Sequence, residues 1–191
     1  PYVLISRHFA TQDTDALVCD EQRGGYLATL HLIQAGHRKL VYLSSFDRVS
    51  GIAERRAGFF LAAREQGIPE RDCLVFNHEE GGKTAAFLKD CHAQGFTGIF
   101  AYCDMEAWKI ISCLLKLGLH VPEDLAFTGY DNIQGKLGFP FSLCSVDGSL
   151  QDICKASVSL LDEKINGNAR LRGLTMFPVS LVCRGSCGCR P

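Results

Sequence analysis

Short apolar runs alternate along this chain with longer stretches in which apolar residues recur every three or four positions. The runs are Leu40 to Ser44, Cys73 to Phe76, Gly98 to Tyr102 and Leu125 to Thr128. A brief apolar run without polar alternation reads as a strand covered on both faces. The stretches between them predict helices of about 12 to 16 residues, a length that suits the crossover of a βαβ unit. Helical patterns stop at Gly36, Gly67, Gly95, Gly118 and Gly167, and an apolar segment follows the first four within a few residues. Glycine adopts the left-handed conformation that closes a helix, so each is an expected C-terminal cap. The alternation predicts an α/β fold with a parallel sheet and helices on both faces. After Asp20, a good N-cap, Leu27, Leu30 and Ile33 form one apolar stripe, and Ile153, Val158, Leu161 and Ile165 form another.

The segment Gly118 to Asn132 carries the most chemistry. A Pro-acidic turn leads into the run at Leu125, which ends at Gly129-Tyr130-Asp131-Asn132. A carboxylate just past the carboxyl end of a parallel strand stands where open α/β sheets bind ligands, which makes Asp131 a candidate recognition group.

Composition adds limits. The chain has 191 residues, 47% of them hydrophobic, and a formal net charge of -1, enough for one large domain or two small ones. Lys and Arg are dispersed among the acids, without the basic stripe of a DNA-reading surface. No apolar run approaches the ~20 residues that cross a bilayer, and the amino end lacks the basic-then-apolar plan of a signal peptide. No membrane contact and a cytoplasmic location are expected. The ten cysteines agree, since Cys19, Cys103 and Cys144 sit in or beside strand patterns and Cys113 and Cys154 in helical ones, as small hydrophobes do. The tail Cys183-Arg184-Gly185-Ser186-Cys187-Gly188-Cys189 is the exception. No matching His or Cys pair lies nearby in sequence, so a reduced, partly flexible tail is expected, with no metal and no cofactor.

An enzyme is not expected. The chain has no dinucleotide fingerprint, no phosphate-binding Gly-Lys loop, no nucleophile elbow and no metal-binding His pair on a helix. His31 and His37 flank a helix end, where His37 suits the negative terminus.

Val18-Cys19-Asp20, Gly24-Gly25, Ala28 to Ile33, Gly36-His37-Arg38-Lys39, Arg55-Arg56-Ala57-Gly58-Phe59, Val121-Pro122-Glu123-Asp124, Gly129 to Asn132 and Val182 to Ser186 follow one another in an order that resembles the effector-binding domain of the lactose-repressor (LacI/GalR) family of bacterial transcription regulators. The resemblance spans nearly the whole chain. It implies the type I periplasmic-binding-protein fold, two doubly wound parallel-sheet subdomains with a ligand cleft between them. Family domains begin with further strand-helix units, so the resemblance implies that the N-terminal subdomain is represented here only in part. Residues 1–38 and 147–172 would be its remnant, 39–146 and 173–186 the C-terminal subdomain, and 187–191 a tail.

The resemblance also implies site residues. Asp131 matches the acid that accepts hydrogen bonds from ligand hydroxyls or ring nitrogens, and Arg55 the basic residue opposite it. A structural salt bridge is the competing role for both. Phe100 and Tyr102 stand where an aromatic would stack on a sugar or base, or else join the core, and alternation makes them share one face. Cys103 replaces a usual polar residue, Asp104 reads as a helix N-cap, and Gly148 removes a side chain that lines family clefts. Asp20 and Arg7 complete the candidates. Arg7, Arg48 and Arg55 together favour an anionic effector.

The implied function is a small-molecule sensor, for a sugar, sugar derivative or nucleobase, in a homodimeric regulator that meets DNA through a separate helix-turn-helix domain. Two alternatives remain. One is the sensor module of a signalling protein with a kinase, diguanylate cyclase or other output domain, suggested by the Ser186-Cys187-Gly188-Cys189 tail. The other is a periplasmic sugar-binding protein, which fits the fold but suits neither ten cysteines nor the repressor-like motifs.

Overall fold

The computed structural model describes residues 1–8, 14–45, 50–77, 81–134, 142–167 and 173–189, without the side chains of 81 and 82. In chain order the elements are β1 (Leu4–Ile5), β2 (Ala16–Cys19), α1 (Glu21–Gln34), β3 (Leu40–Ser44), α2 (Ser50–Glu65), β4 (Cys73–Asn77), α3 (Gly81–Ala93), β5 (Gly98–Ala101), α4 (Asp104–Lys116), β6 (Ala126–Tyr130), β7 (Cys144–Asp147), α5 (Leu150–Ile165), β8 (Leu174–Phe177) and β9 (Ser180–Val182). The five helix-ending glycines all adopt the left-handed conformation, with φ from +69° to +104°.

Two sheets emerge among the described residues. The larger has the order β4-β3-β5-β6-β7-β9, parallel except for the β7–β9 pair. The smaller, β1-β2-β8, is parallel throughout. In the larger sheet β4 lies to one side of β3 and β5 to the other, so the winding reverses between β3 and β5. Such a reversal opens a crevice at the carboxyl ends of the strands.

Both faces of that sheet are covered. Leu40, Tyr42, Phe100 and Tyr130 pack with Leu32, Ile33 and Phe59 of α1 and α2. Val41, Leu43, Ile99 and Phe127 pack with Leu88 of α3 and Ile110 of α4. Successive strand residues thus feed opposite layers, which is why the runs are apolar throughout rather than alternating. The α1–α2 contact depends on glycine. A Cβ on Gly25 would lie 2.1 Å from the Arg55 carbonyl oxygen, and one on Gly58 would lie 2.0 Å from that of Gln22.

Several expectations change. The buried face of α1 runs through Gly24, Gly25, Ala28, Thr29, Leu32 and Ile33 rather than Leu27 and Leu30, because small residues admit α2 so closely. In α5 the inward residues are Ile153, Ser157 and Leu160, while Val158 and Ile165 are exposed. The boundaries expected for the two bodies also move. Helix α1, assigned with residues 1–38 to the smaller body, packs against α2 and the larger sheet. Strand β8, assigned with 173–186 to the larger body, pairs with β2 in the smaller sheet. Nor is the described part of the tail loose: Cys187 is fully buried, and the Ser186 hydroxyl donates to the Phe127 carbonyl while accepting from the Cys144 amide.

Candidate functional site

A cleft of about 530 Å³ opens between the sheets. Ser6, Arg7 and Cys19 approach from the smaller sheet, Glu21, Arg55, Tyr102, Cys103, Tyr130 and Asp131 from the larger body, Gly148 from the β7–α5 connection, and Leu150 and Ile153 from the start of α5. Its volume suits a small ligand.

Arg55 is the centre. From α2 its Nε donates to Glu21 Oε2 at 2.6 Å and its Nη2 to Glu21 Oε1 at 3.2 Å, a two-point pairing. Nη1 donates to the Tyr102 carbonyl, and the guanidinium lies 3.5 Å from the centroid of the Tyr130 ring. Burial works against its charge, but the hydrogen bonds and charge of Glu21, aided by Asp131, carry its pKa upward. The fork is thus held rigid by three partners before any ligand arrives.

Asp131 follows β6 with φ of +99°, and Asn132 follows with +49°. Non-glycine residues in this region are strained and persist where surroundings over-determine them. The restraints are explicit. The Asp131 amide donates to the Val146 carbonyl, and the Asn132 amide donates to Ser145 Oγ. Asn132 Nδ2 donates to Asp147, and Arg184 donates to Asn132 Oδ1. Beneath them Asp104, wholly buried, accepts from Ser145 Oγ at 2.7 Å and the Ile133 amide at 3.0 Å. Gly129 must lack a side chain because a Cβ there would sit 2.2 Å from Asp104 Oδ1. The motifs at 129–132, 145–148 and 182–186 are therefore parts of one device that aims the Asp131 carboxylate into the cleft. Its oxygen stands 3.9 Å from Arg55 Nη2, and its side chain keeps 43% of its surface open.

Burial raises the Asp131 pKa to about 6, against the pull of Arg55 and with a further push from Asp104 and Glu21. Asp104 is raised to about 6 as well, by burial that its hydrogen bonds from Ser145 and Ile133 only partly oppose. Burial pushes the Cys19 and Cys103 thiols up to about 11, so both stand protonated at neutral pH.

The structure brings Asp131, Arg55, Tyr102, Cys103 and Arg7 together at the cleft. Phe100 and Asp20 do not join them. Phe100 is fully buried and packs on the Tyr42 ring at 5.2 Å. It shares a face with Tyr102, as alternation requires, but it is fully buried among Tyr42 and its neighbours, whereas Tyr102, one residue past the strand end, is only partly buried and lines the cleft. Asp20 caps α1, accepting from the Arg23 amide. Asp104, expected as an N-cap, is instead the first residue of α4 and braces the 131–133 turn, while Cys103 holds the cap position. Arg48 lies outside the described residues. Glu21 and Tyr130 were missed. An acid in the first turn of a helix reads as a dipole partner, and only the α1–α2 crossing, signalled by Gly24-Gly25 and Gly58, reveals that Glu21 faces Arg55.

Residues 29–187 match the family described as periplasmic binding protein-like domain. The chain belongs to that family. Among relatives of this periplasmic-binding-protein-like domain is the arabinose metabolism transcriptional repressor of Halalkalibacterium halodurans, 33% identical over 138 residues, 69% of this chain and 36% of the relative. Another is the repressor PurR of Photobacterium profundum, 30% identical over 176 residues, 91% of this chain and 53% of that one. The chain spans from about a third to somewhat over half the length of these curated relatives. A crystal structure of a LacI family transcriptional regulator from Enterococcus faecium with bound ribose superposes with a TM-score of 0.88 at 26% identity, covering 97% of this chain and 70% of that one. A regulator from Alkaliphilus metalliredigens complexed with D-xylulofuranose matches with 0.82 at 26%, covering 97% and 70%. Together these identify the domain as a lactose-repressor-type effector-binding domain.

Proposed function

We propose that this chain senses a neutral, polyhydroxylated small molecule of pentose or hexose size for a LacI-type transcription regulator. One observation carries the reading: Asp131, held by a strained and fully braced turn, faces the cleft beside a guanidinium already fixed by Glu21 and Tyr130. A carboxylate offers only acceptors and the Arg fork only donors, so the pair orients a ligand that carries hydroxyls of both senses. The anionic effector expected from Arg7, Arg48 and Arg55 loses support, because Glu21 neutralises Arg55 and Asp131 adds negative charge. Sugars bound by two structural relatives agree with a neutral ligand.

Binding is proposed without catalysis. The thiols that line the cleft are held protonated by burial, and the carboxylate that Cys19 meets, Glu21, is already committed to Arg55. Ligand contacts made by both bodies favour the closed cleft, and the closure shifts a dimer between states of a DNA-binding domain in the cytoplasm. The shift is limited by the ligand's differential affinity for the two states.

Thermal unfolding against pentoses, hexoses, sugar phosphates and nucleobases tests the class. Ligand at ~100 times its dissociation constant adds about 2.7 kcal/mol, a rise of several degrees. The reading expects that rise from a neutral sugar; a rise confined to sugar phosphates, or to none, counts against it.

A further inference from the structure

Some 15 Å along α1 from Glu21, at about 1.5 Å per residue, the helix presents His31 to a nest of four cysteines. Cys144 begins β7, and β9 runs antiparallel beside it with Val182 opposite Ser145. The next step of that register brings Cys183 against Cys144. The chain then turns through Arg184, Gly185 and Ser186 and delivers Cys187 and Cys189 to the same point. Nε2 of His31 and the Sγ atoms of Cys144, Cys183, Cys187 and Cys189 all lie within 4.8 Å of one another. Cys187 Sγ is 3.2 Å from Cys144 Sγ and 2.8 Å from Cys189 Sγ, and Cys183 Sγ is 2.8 Å from Cys189 Sγ. These separations stand well beyond the roughly 2.05 Å of a disulfide. The sulfurs converge as thiols.

We propose that Cys144, Cys183, Cys187 and Cys189 hold a structural zinc ion. Four thiolates at about 2.3 Å from a tetrahedral zinc lie a little under 4 Å apart, and the observed donors need only open slightly around a common centre. The Cys183 and Cys187 spacing, with three residues between, is within the range such sites use, and Cys144 supplies the ligand that sequence reading could not find nearby. Surrounding groups complete the arrangement. The Arg184 amide donates to Cys144 Sγ at 3.0 Å, and Gly188, with φ of +73°, turns the chain between Cys187 and Cys189. The Ser186 hydroxyl ties the turn to β6 and β7. His31 is the fifth donor around a four-coordinate ion. At 3.0 Å from Cys187 Sγ and 3.4 Å from Cys189 Sγ, its Nε2 is placed to donate a hydrogen bond to the thiolates and offset their charge. The ion fastens the turn after β9 to β7, and the His31 hydrogen bonds tie that knot to α1, the helix whose first residue grips Arg55.

Metal analysis of the chain purified under reducing conditions without chelator is expected to find one zinc per chain, released by a mercurial reagent. Cobalt put in its place should show the visible bands of tetrahedral coordination and strong thiolate charge-transfer absorption. Cys187→Ser and Cys189→Ser should lose the metal, whereas Cys113→Ser, Cys154→Ser and His31→Ala should keep it. Because the first two variants can misfold, the wild-type cobalt spectrum carries the assignment on its own. Wild-type protein without stoichiometric zinc, a Cys183–Cys189 or Cys187–Cys189 crosslink found by non-reducing mass spectrometry, or the colour of an iron–sulfur cluster would overturn the site. Loss of zinc from folded His31→Ala would overturn the four-thiolate set.

Discussion

Arg55 gives its guanidinium to Glu21, at 2.6 and 3.2 Å, and reaches Asp131 only at 3.9 Å. The cation that the cleft offers a ligand is therefore already paired and aimed, and Asp131 is the polar group left open to it.

Removing one member of such a pair strands the other. Glu21→Ala is expected to destabilise the fold by about 3 kcal/mol, and Glu21→Leu with Arg55→Met to recover most of that, since a buried pair replaced as a unit is close to neutral. Urea unfolding of the single and double variants measures both. Equal losses in single and double variants would contradict the pairing.

The α1–α2 crossing transmits to the site. Gly25→Ala should cost about 1–3 kcal/mol, because its Cβ has no room beside the Arg55 carbonyl and the helices must part. It should also weaken effector binding, since Arg55 moves with its backbone. Gly67→Ala, where no atom lies within 4 Å, strains only a helix end and should leave binding unchanged.

Acid has two opposite effects. Asp104 is raised from 3.8 to about 6 by burial, so the unfolded chain releases its proton first as pH rises. Its share of stability is greatest below pH about 4, declines between about 4 and 6, and is flat above, a change of up to about 3 kcal/mol. Asp104→Asn should lose its share of that decline in urea midpoints taken from pH 4 to 7, keeping the part that Asp131, also raised to about 6, contributes. Effector binding has the reverse sign. Ligand hydroxyls donate to ionised Asp131, so affinity should fall below pH about 6, up to about tenfold per pH unit.

The fold was legible where short-range rules decide it. The helix-ending glycines and the strand at Leu40 to Ser44 follow from local conformation and apolar runs. What failed depended on contacts between distant segments. Phe100 and Tyr102 share a face, yet Phe100 is enclosed in the core beside Tyr42, while Tyr102, past the strand end, is only partly buried and lines the cleft. The stripe of α1 was misplaced because its buried face uses Gly24, Gly25, Ala28 and Thr29, which a search for large apolar residues passes over, and that of α5 because Ile153, Ser157 and Leu160 face inward while Val158 and Ile165 do not. Glu21 and Cys144 were invisible as site groups for the same reason: each partner lies tens of residues away in the chain.

Asp131 itself offers the most direct test. Asp131→Gly removes the carboxylate and relieves a strained φ of +99°, so it should fold, gain up to about 1 kcal/mol of stability without ligand, and lose the effector. Calorimetric titration of the wild type and this variant with the sugar that raises the unfolding temperature decides the matter. Binding to the wild type with at least a hundredfold loss in a variant of undiminished stability is the predicted result. Equal affinity in both proteins would contradict the assignment of the cleft.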